Sequence, residues 1–244
     1  MATETSTTVD IFGLTEWNEM IKVASAVLPE PLAVGGTIFY IDDTADGVYE
    51  FFDADGNSIE SIQVGDKPYT YKVITPGSKD KYYVYHDEVY DNLRWTYYKD
   101  GAYVYESDES MGLVNNVDEI IGTGKTNTEI VMARDSGAYI AADADGFPTI
   151  WYRLQQVRNA KVGGCDDWFV PCLKECMKLQ KAIESGSITG GAIAGSSYGT
   201  SVFRKDFWSS SVYRGGANSW YPSDDMWFLN SREAALSVFF TRAF

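Results

Sequence analysis

A single histidine, His86, stands in a chain of 244 residues. That scarcity excludes most nucleophile–base constellations, because a serine or cysteine nucleophile needs an oriented base beside it. His86 lies in a tyrosine-rich run, "KYYVYH", with no orienting motif near it. We therefore expect no catalytic residue. Cysteine is also scarce. Cys165, Cys172 and Cys176 are odd in number, which argues against a disulfide framework. With one histidine they cannot make an ordinary four-ligand zinc site, and they read as small buried thiols. No metal and no cofactor is expected. Basic residues are few: 20 Lys and Arg against 35 Asp and Glu, a net charge of -15. Such a chain repels nucleic-acid phosphates and anionic lipid, so neither is an expected partner. No apolar run approaches the length of a membrane-spanning helix. The opening "MATETSTTVDIFG" has no basic stretch followed by an apolar core, so no secretory signal is read there.

What is abundant is aromatic surface and glycine: 17 Tyr, 12 Phe, 7 Trp and 22 Gly. That balance points to a β-rich fold with many turns. Residues 1–10 are polar and threonine-rich. In the following "LTEWNEMIKVASAVLPEP", Trp17, Met20, Ile21, Ala24, Val27 and Leu28 recur at helical spacing. Thr15 can cap such a helix, and Pro29 with Pro31 ends it. One short amphipathic helix has little of its own to bury against. Residues 1–32 are therefore expected to be an attachment segment, and residues 33–244 the domain proper. The domain divides into a β-rich, tyrosine-rich part, 33–148, and a helix and terminal-sheet part, 149–244.

From Gly35 onward, short β-prone runs ("GGTIFYI", "GVYEFFD", "YTYKVI", "KYYVYH") alternate with acidic turns. Asp42, Thr44, Asp46, Gly47 and Asp53 loosely fit a calcium loop, but strands rather than helices flank them, so we read hairpin turns. Ten tyrosines fall within 69–105. Binding surfaces favour tyrosine, yet cross-strand aromatic pairs on a half-buried sheet explain it as well and are preferred. Ile150, Leu154 and Val157 mark a helix in "TIWYRLQQVRNA". After Pro171 a second helix carries Leu173, Cys176 or Met177, Leu179 or Gln180, and Ile183 inward.

The segment "IGTGKTNTEI", 121–130, contains the letters of a phosphate loop. A true phosphate loop has glycine five residues before its second glycine, between a buried strand and a helix. Here that position is Glu119, which would repel phosphate, and no buried-strand run precedes it. A glycine turn leading into the apolar stretch Ile130–Ala133 is the simpler reading.

The tail carries an ordered set of pieces: "DDWFVP", then a helix, then "FWSSSVY", "SWY" and a final "TRAF". This order resembles the Lcl C-terminal domain family of bacterial surface and phage structural proteins. Members show D-W-aromatic-aliphatic-P-S-x-x-E-L, then aromatic-W-S-S, an A-W strand, and an end in V-R-x-V-R-x-F. Relatives from gut bacteria and their phages carry I-G-T-G-K-x-N-T upstream, so "IGTGKTNT" looks like that element and its role like a structural one. The resemblance covers about Gly35 to Phe244 and is strongest over 165–244. Cys172 departs from the usual serine, Cys176 from the usual leucine, and "FFTRAF" from the double-arginine ending.

The resemblance implies an α+β, C-type-lectin-like domain of short antiparallel strands and two helices, here with an N-terminal helical docking segment. It implies a non-enzymatic phage virion protein: a head or tail fibre, or a decoration protein, binding a host-surface glycan or protein. Residues 1–32 would dock on other virion proteins. The chain would be a homo-oligomer, for which a trimer is the fibre precedent, made in the host cytoplasm and carried on the virion. The alternatives are a bacterial surface adhesin of the same fold and a divergent enzyme on the formylglycine-generating-enzyme-like fold. In such folds the segment before the final strand lies at the exposed end. Here it offers Tyr213, Arg214, Asn218, Trp220, Tyr221, Asp224, Asp225, Trp227, Asn230 and Arg232 as ligand contacts. Trp220 and Trp227 compete for a place in the core.

Overall fold

The computed structural model describes residues 12–14, 20–22, 31–42, 49–73, 81–96, 98–99, 102–103, 111–115, 118–134, 148–193, 206–213, 216–221 and 226–244. The first elements already differ from the helical expectation. β1 (Phe12–Leu14) pairs antiparallel with β2 (Met20–Lys22), with Gly13 opposite Ile21. The helical spacing through Met20 and Ile21 is therefore not used as a helix at those residues: a neighbouring strand takes up the backbone groups that a helix would bond internally. Trp17, Ala24, Val27 and Leu28 lie outside the described residues.

The next strands are β3 (Leu32–Ala33), β4 (Thr37–Asp42), β5 (Tyr49–Phe52), β6 (Ser58–Ile59), β7 (Thr70–Val73) and β8 (Lys81–Tyr85). β9 (Tyr90–Leu93), β10 (Tyr98–Lys99) and β11 (Ala102–Tyr103) follow. Then come α1 (Thr123–Ala133), α2 (Ile150–Asn159) and α3 (Leu173–Glu184). The chain closes with β12 (Phe207–Tyr213), β13 (Gly216–Tyr221), β14 (Met226–Asn230), β15 (Leu236–Val238) and β16 (Thr241–Ala243). The result is a mixed α+β fold with several antiparallel sheets and few helices. The larger sheets run β14-β13-β12-β15-β9, β16-β8-β4 and β3-β7-β5-β6. The expected hairpin turn at "DADGN" is present. Asp53 accepts from the amides of Asp55 at 2.9 Å and Asn57 at 2.8 Å.

Among the described residues, two of the three helices named above match their sequence pattern. α2 buries Ile150, Leu154 and Val157, and Trp151 besides. Thr149 caps it, accepting from the Tyr152 amide at 3.1 Å. α3 buries Leu173, Cys176, Leu179 and Ile183 against Phe39, Tyr85, Phe207 and Phe239. Pro171 precedes the N-cap, Cys172, rather than entering the first turn. The third helix, α1, was expected only as a glycine turn. Its inward face is Thr123, Gly124, Asn127, Thr128 and Val131. That is a helical repeat of small and polar residues, which carries almost no hydrophobic signal.

One continuous core takes residues from both parts of the domain, among them Val34, Phe51, Trp95, Trp151, Trp168, Trp208 and Phe240. Each buried indole gives its N–H to a backbone carbonyl: Trp208 to Leu93 (2.8 Å), Trp95 to Ser209 (3.2 Å), Trp151 to Trp95 (2.8 Å) and Trp168 to Val162 (2.9 Å). Trp95 and Trp151 meet edge to face at 5.1 Å. Four of the ten tyrosines in 69–105 follow the packing expectation, while Tyr69 is exposed. Tyr71, Tyr82, Tyr83 and Tyr85 are buried, and Tyr71 and Tyr82 stack with Phe244. Replacing Trp208 by Phe should cost about 2 kcal/mol, since it orphans the Leu93 carbonyl and removes part of a packed ring. Urea unfolding of the two proteins measures it, and Trp208→Ala should cost roughly 3–5 kcal/mol.

Candidate functional site

The sequence pieces that carry the family resemblance meet at one junction. Asp167 holds Arg242 through both carboxylate oxygens, at 2.7 and 3.1 Å. The same guanidinium donates to the Ala33 and Val34 carbonyls at 2.8 and 2.7 Å. Phe169 and Thr241 exchange backbone hydrogen bonds at 2.7 and 2.9 Å. Two of the three serines after Trp208 serve backbone groups with their hydroxyls, Ser209 accepting from the Ser211 amide at 3.3 Å, whereas the Ser210 hydroxyl is buried without a partner among the described residues. The Ser211 hydroxyl accepts from the Leu173 amide (2.8 Å), and the Ser210 main-chain amide reaches the Pro171 carbonyl (2.8 Å). Asn127 is fully buried. It bonds both backbone groups of Val114 and donates to the Ser210 carbonyl. Thr128 accepts from the Val170 amide at 3.1 Å.

The glycines of "IGTGKT" have a specific neighbour. Glu175, on the first turn of α3, accepts from the Gly122 amide at 2.8 Å and the Cys172 amide at 2.9 Å. Gly124 contributes a third amide. The N-termini of α1 and α3 thus converge on one carboxylate, which occupies the position a phosphate would need. Gly122 adopts a φ of 100°, which favours glycine. A Cβ on Gly124 would collide with Glu175 and lie 2.7 Å from the Cys172 nitrogen. Burial pushes the Glu175 carboxyl up to about 7, against the pull of its three amides. Glu119 is buried nearby, facing Ser211 and the start of α3 without a well-aligned hydrogen bond to either. Burial raises its pKa too, while Ser211 and the start of α3 draw it down. Cys172 stands at the N-cap, and Cys172 and Cys176 are buried thiols whose pKa burial raises well above normal.

The outward face of α1 differs. Lys125, Thr126 and Glu129 are exposed and line a cavity of about 390 Å³ together with Lys81, Phe169 and Phe244. Glu129 is paired with Arg158 at 2.6 Å.

His86 is half-buried edge-on against Trp168 at 5.4 Å, and its Nδ1 accepts from the Glu88 amide at 3.2 Å. Among the described residues no group of three or more His, Cys, Asp or Glu could hold a metal, and no helix is long and apolar enough to cross a membrane.

The ten expected ligand contacts separate. Tyr213 ends β12 and Asn230 ends β14, both half-buried. Asn218, Trp220 and Tyr221 lie on β13 and Trp227 on β14, with Trp220 opposite Trp227 and Asn218 opposite Leu229. Arg214, Asp224 and Asp225 lie outside the described residues. Arg232 is a correction. It is 1 % exposed and its guanidinium lies 4.4 Å from the Trp95 ring centre, so it is a core residue rather than a ligand contact. Charge suggested the surface, whereas Trp95 offers an aromatic face that accepts a buried guanidinium.

No family model, no curated protein and no solved structure matches the chain.

Glu175 should leave a signature in stability. Between about 4.5 and 7 the folded protein retains a proton that the unfolded chain has released, so stability falls as pH rises through that window and levels above it. His86, lowered by burial, acts in the opposite sense, losing stability as pH falls through its ordinary 6.5. The difference between wild type and Glu175→Gln, measured by urea unfolding at pH 5 and pH 8, isolates the first effect. The wild type should lose more stability than the variant on going to pH 8. Glu175→Ala should cost about 3 kcal/mol or more at either pH, because three amides lose their acceptor.

Proposed function

We propose that the protein is a non-enzymatic binding and display protein of a phage particle, built on a C-type-lectin-like domain related to the Lcl C-terminal domain family. The observation that carries this reading is the convergence of its sequence pieces. "IGTGKTNT", "DDWFVP", "FWSSS" and "TRAF" make their contacts with one another, through Glu175, Asn127, Thr128, Ser211, Asp167 and Arg242. Chemistry-bearing side chains in these motifs are thus engaged in holding a scaffold, which supports a display role over turnover. The β12-β13-β14 meander stands at one side of the largest sheet, with β14 at its edge. Its connections, 214–215 and 222–225, carry Arg214, Asp224 and Asp225. In this reading those connections, with Tyr213, Asn218 and Tyr221, contact a host-surface glycan or protein. Residues 1–32 attach the domain to other virion proteins, with Leu32 itself, in β3, paired to Tyr71.

The reading is tested with purified full-length chain on host cells. Tyr213→Ala combined with Arg214→Ala should abolish cell binding at unchanged melting temperature. Binding equal to the parent's would overturn the assignment of this face. A turnover that disappeared in His86→Ala, with folding intact, would overturn the non-enzymatic part. Deletion of residues 1–30, which spares β3, should lower incorporation into particles, and normal occupancy would count against attachment through that segment.

A further inference from the structure

The cavity beside α1 is separate from the strand face discussed above and does not depend on that reading. It has about 390 Å³, in the lower part of the range for small-molecule sites (roughly 300–1,000 Å³). Four segments of the chain build it. α1 brings Lys125, Thr126 and Glu129, which fall on its outward face because Gly124, Asn127 and Thr128 are held inward. The first residue of β8 brings Lys81, and the chain after β16 brings Phe244. Phe169, fully buried, backs it from the core side, and Ala243 of β16 borders the opening.

Charge makes this cavity unusual in a chain of net charge -15. Lys81 and Lys125 come from different elements, 44 positions apart in number, and converge on one opening. Neither has an ion-pair partner among the described residues. The carboxylate on the same rim, Glu129, is already matched by Arg158 at 2.6 Å. Two unmatched ammonium groups on a shaped, partly apolar wall focus potential toward an anion. The α1 amides do not take that role, because Gly122 and Gly124 already donate to Glu175.

The remaining lining narrows the anion. A bare inorganic anion would meet the two lysines but offer no hydroxyl donors to Thr126 and Glu129 and gain nothing from the apolar wall, where Ala243 and Phe244 are half-buried. A ligand with a carboxylate at one end, hydroxyl donors at the other and an apolar ring face between them would use all of these groups. We propose that this cavity binds an acidic sugar, a carboxylate-bearing pyranose. Its carboxylate lies between Lys81 and Lys125, its hydroxyls face Thr126 and Glu129, and its ring lies against the apolar wall.

The test uses the full-length chain and three probes: glucuronate, glucose and inorganic phosphate, each followed by ligand-observed NMR and calorimetry. Glucuronate should bind, with glucose and phosphate at least about fivefold weaker, the factor that one exposed ion pair at the top of its range supplies. Lys81→Gln and Lys125→Gln should each weaken glucuronate by about the same factor and leave the melting temperature unchanged. Both lysines are exposed, so these variants should fold. Glu129→Gln should narrow the preference for glucuronate over phosphate. Phosphate binding as well as glucuronate would overturn the sugar assignment. Absence of glucuronate binding, or binding that survives the double lysine variant, would overturn the site.

Discussion

One buried carboxylate decides how the two halves of the motif region sit together. Glu175 begins α3 yet receives the amide of Gly122 from α1 and that of Cys172 from its own N-cap. Two helix N-termini, each with orphan amides and a positive dipole end, would repel one another if brought this close without an anion between them. The carboxylate lets them approach. The approach then leaves no room for a Cβ at Gly124, and it brings Asn127 and Thr128 within reach of the "FWSSS" strand and the "DWFVP" segment. The cost is a carboxylate with almost no water, with Glu119 close by and also buried.

The sequence was most readable where burial and periodicity agree. α2 and α3 announce themselves because Ile150, Leu154, Val157 and Leu173, Leu179, Ile183 are apolar at helical spacing. The short strands were legible from aromatic and β-branched runs between turn formers. α1 was hidden because its inward face is held by hydrogen bonds rather than by apolar area. Asn127 satisfies three backbone groups there, and no hydropathy pattern records that. At the other end, Met20 and Ile21 show the opposite failure: an apolar period suggested a helix, and pairing with Phe12–Leu14 gave a strand.

Site residues divide in the same way. Arg232 looked like a surface contact because arginine is charged, yet it packs on Trp95 within the core. Arg242 is similarly enclosed, with Asp167 and two carbonyls around it. What a linear reading misses is the partner that makes a buried cation tolerable, since each partner comes from far along the chain. The lysines of the α1 cavity were missed for a related reason. Lys81 and Lys125 are unremarkable singly, and only the packing of β8 beside α1 puts them at one opening.

The link between Arg242 and the carbonyls of Ala33 and Val34 spans 209 and 208 positions. A ribosome delivers Ala33 long before Arg242, so the strand near the beginning waits, unpaired at this contact, until nearly the whole domain has emerged. The β16-β8-β4 sheet has the same dependence, because its edge strand β16, at Thr241–Ala243, follows β4 and β8, the later of which ends at Tyr85, by more than 150 positions. Closure across so much chain is slow compared with forming a helix or a hairpin. The domain therefore completes itself late and as a unit, and during that interval its aromatic β8 edge is the surface most in need of protection from neighbouring chains.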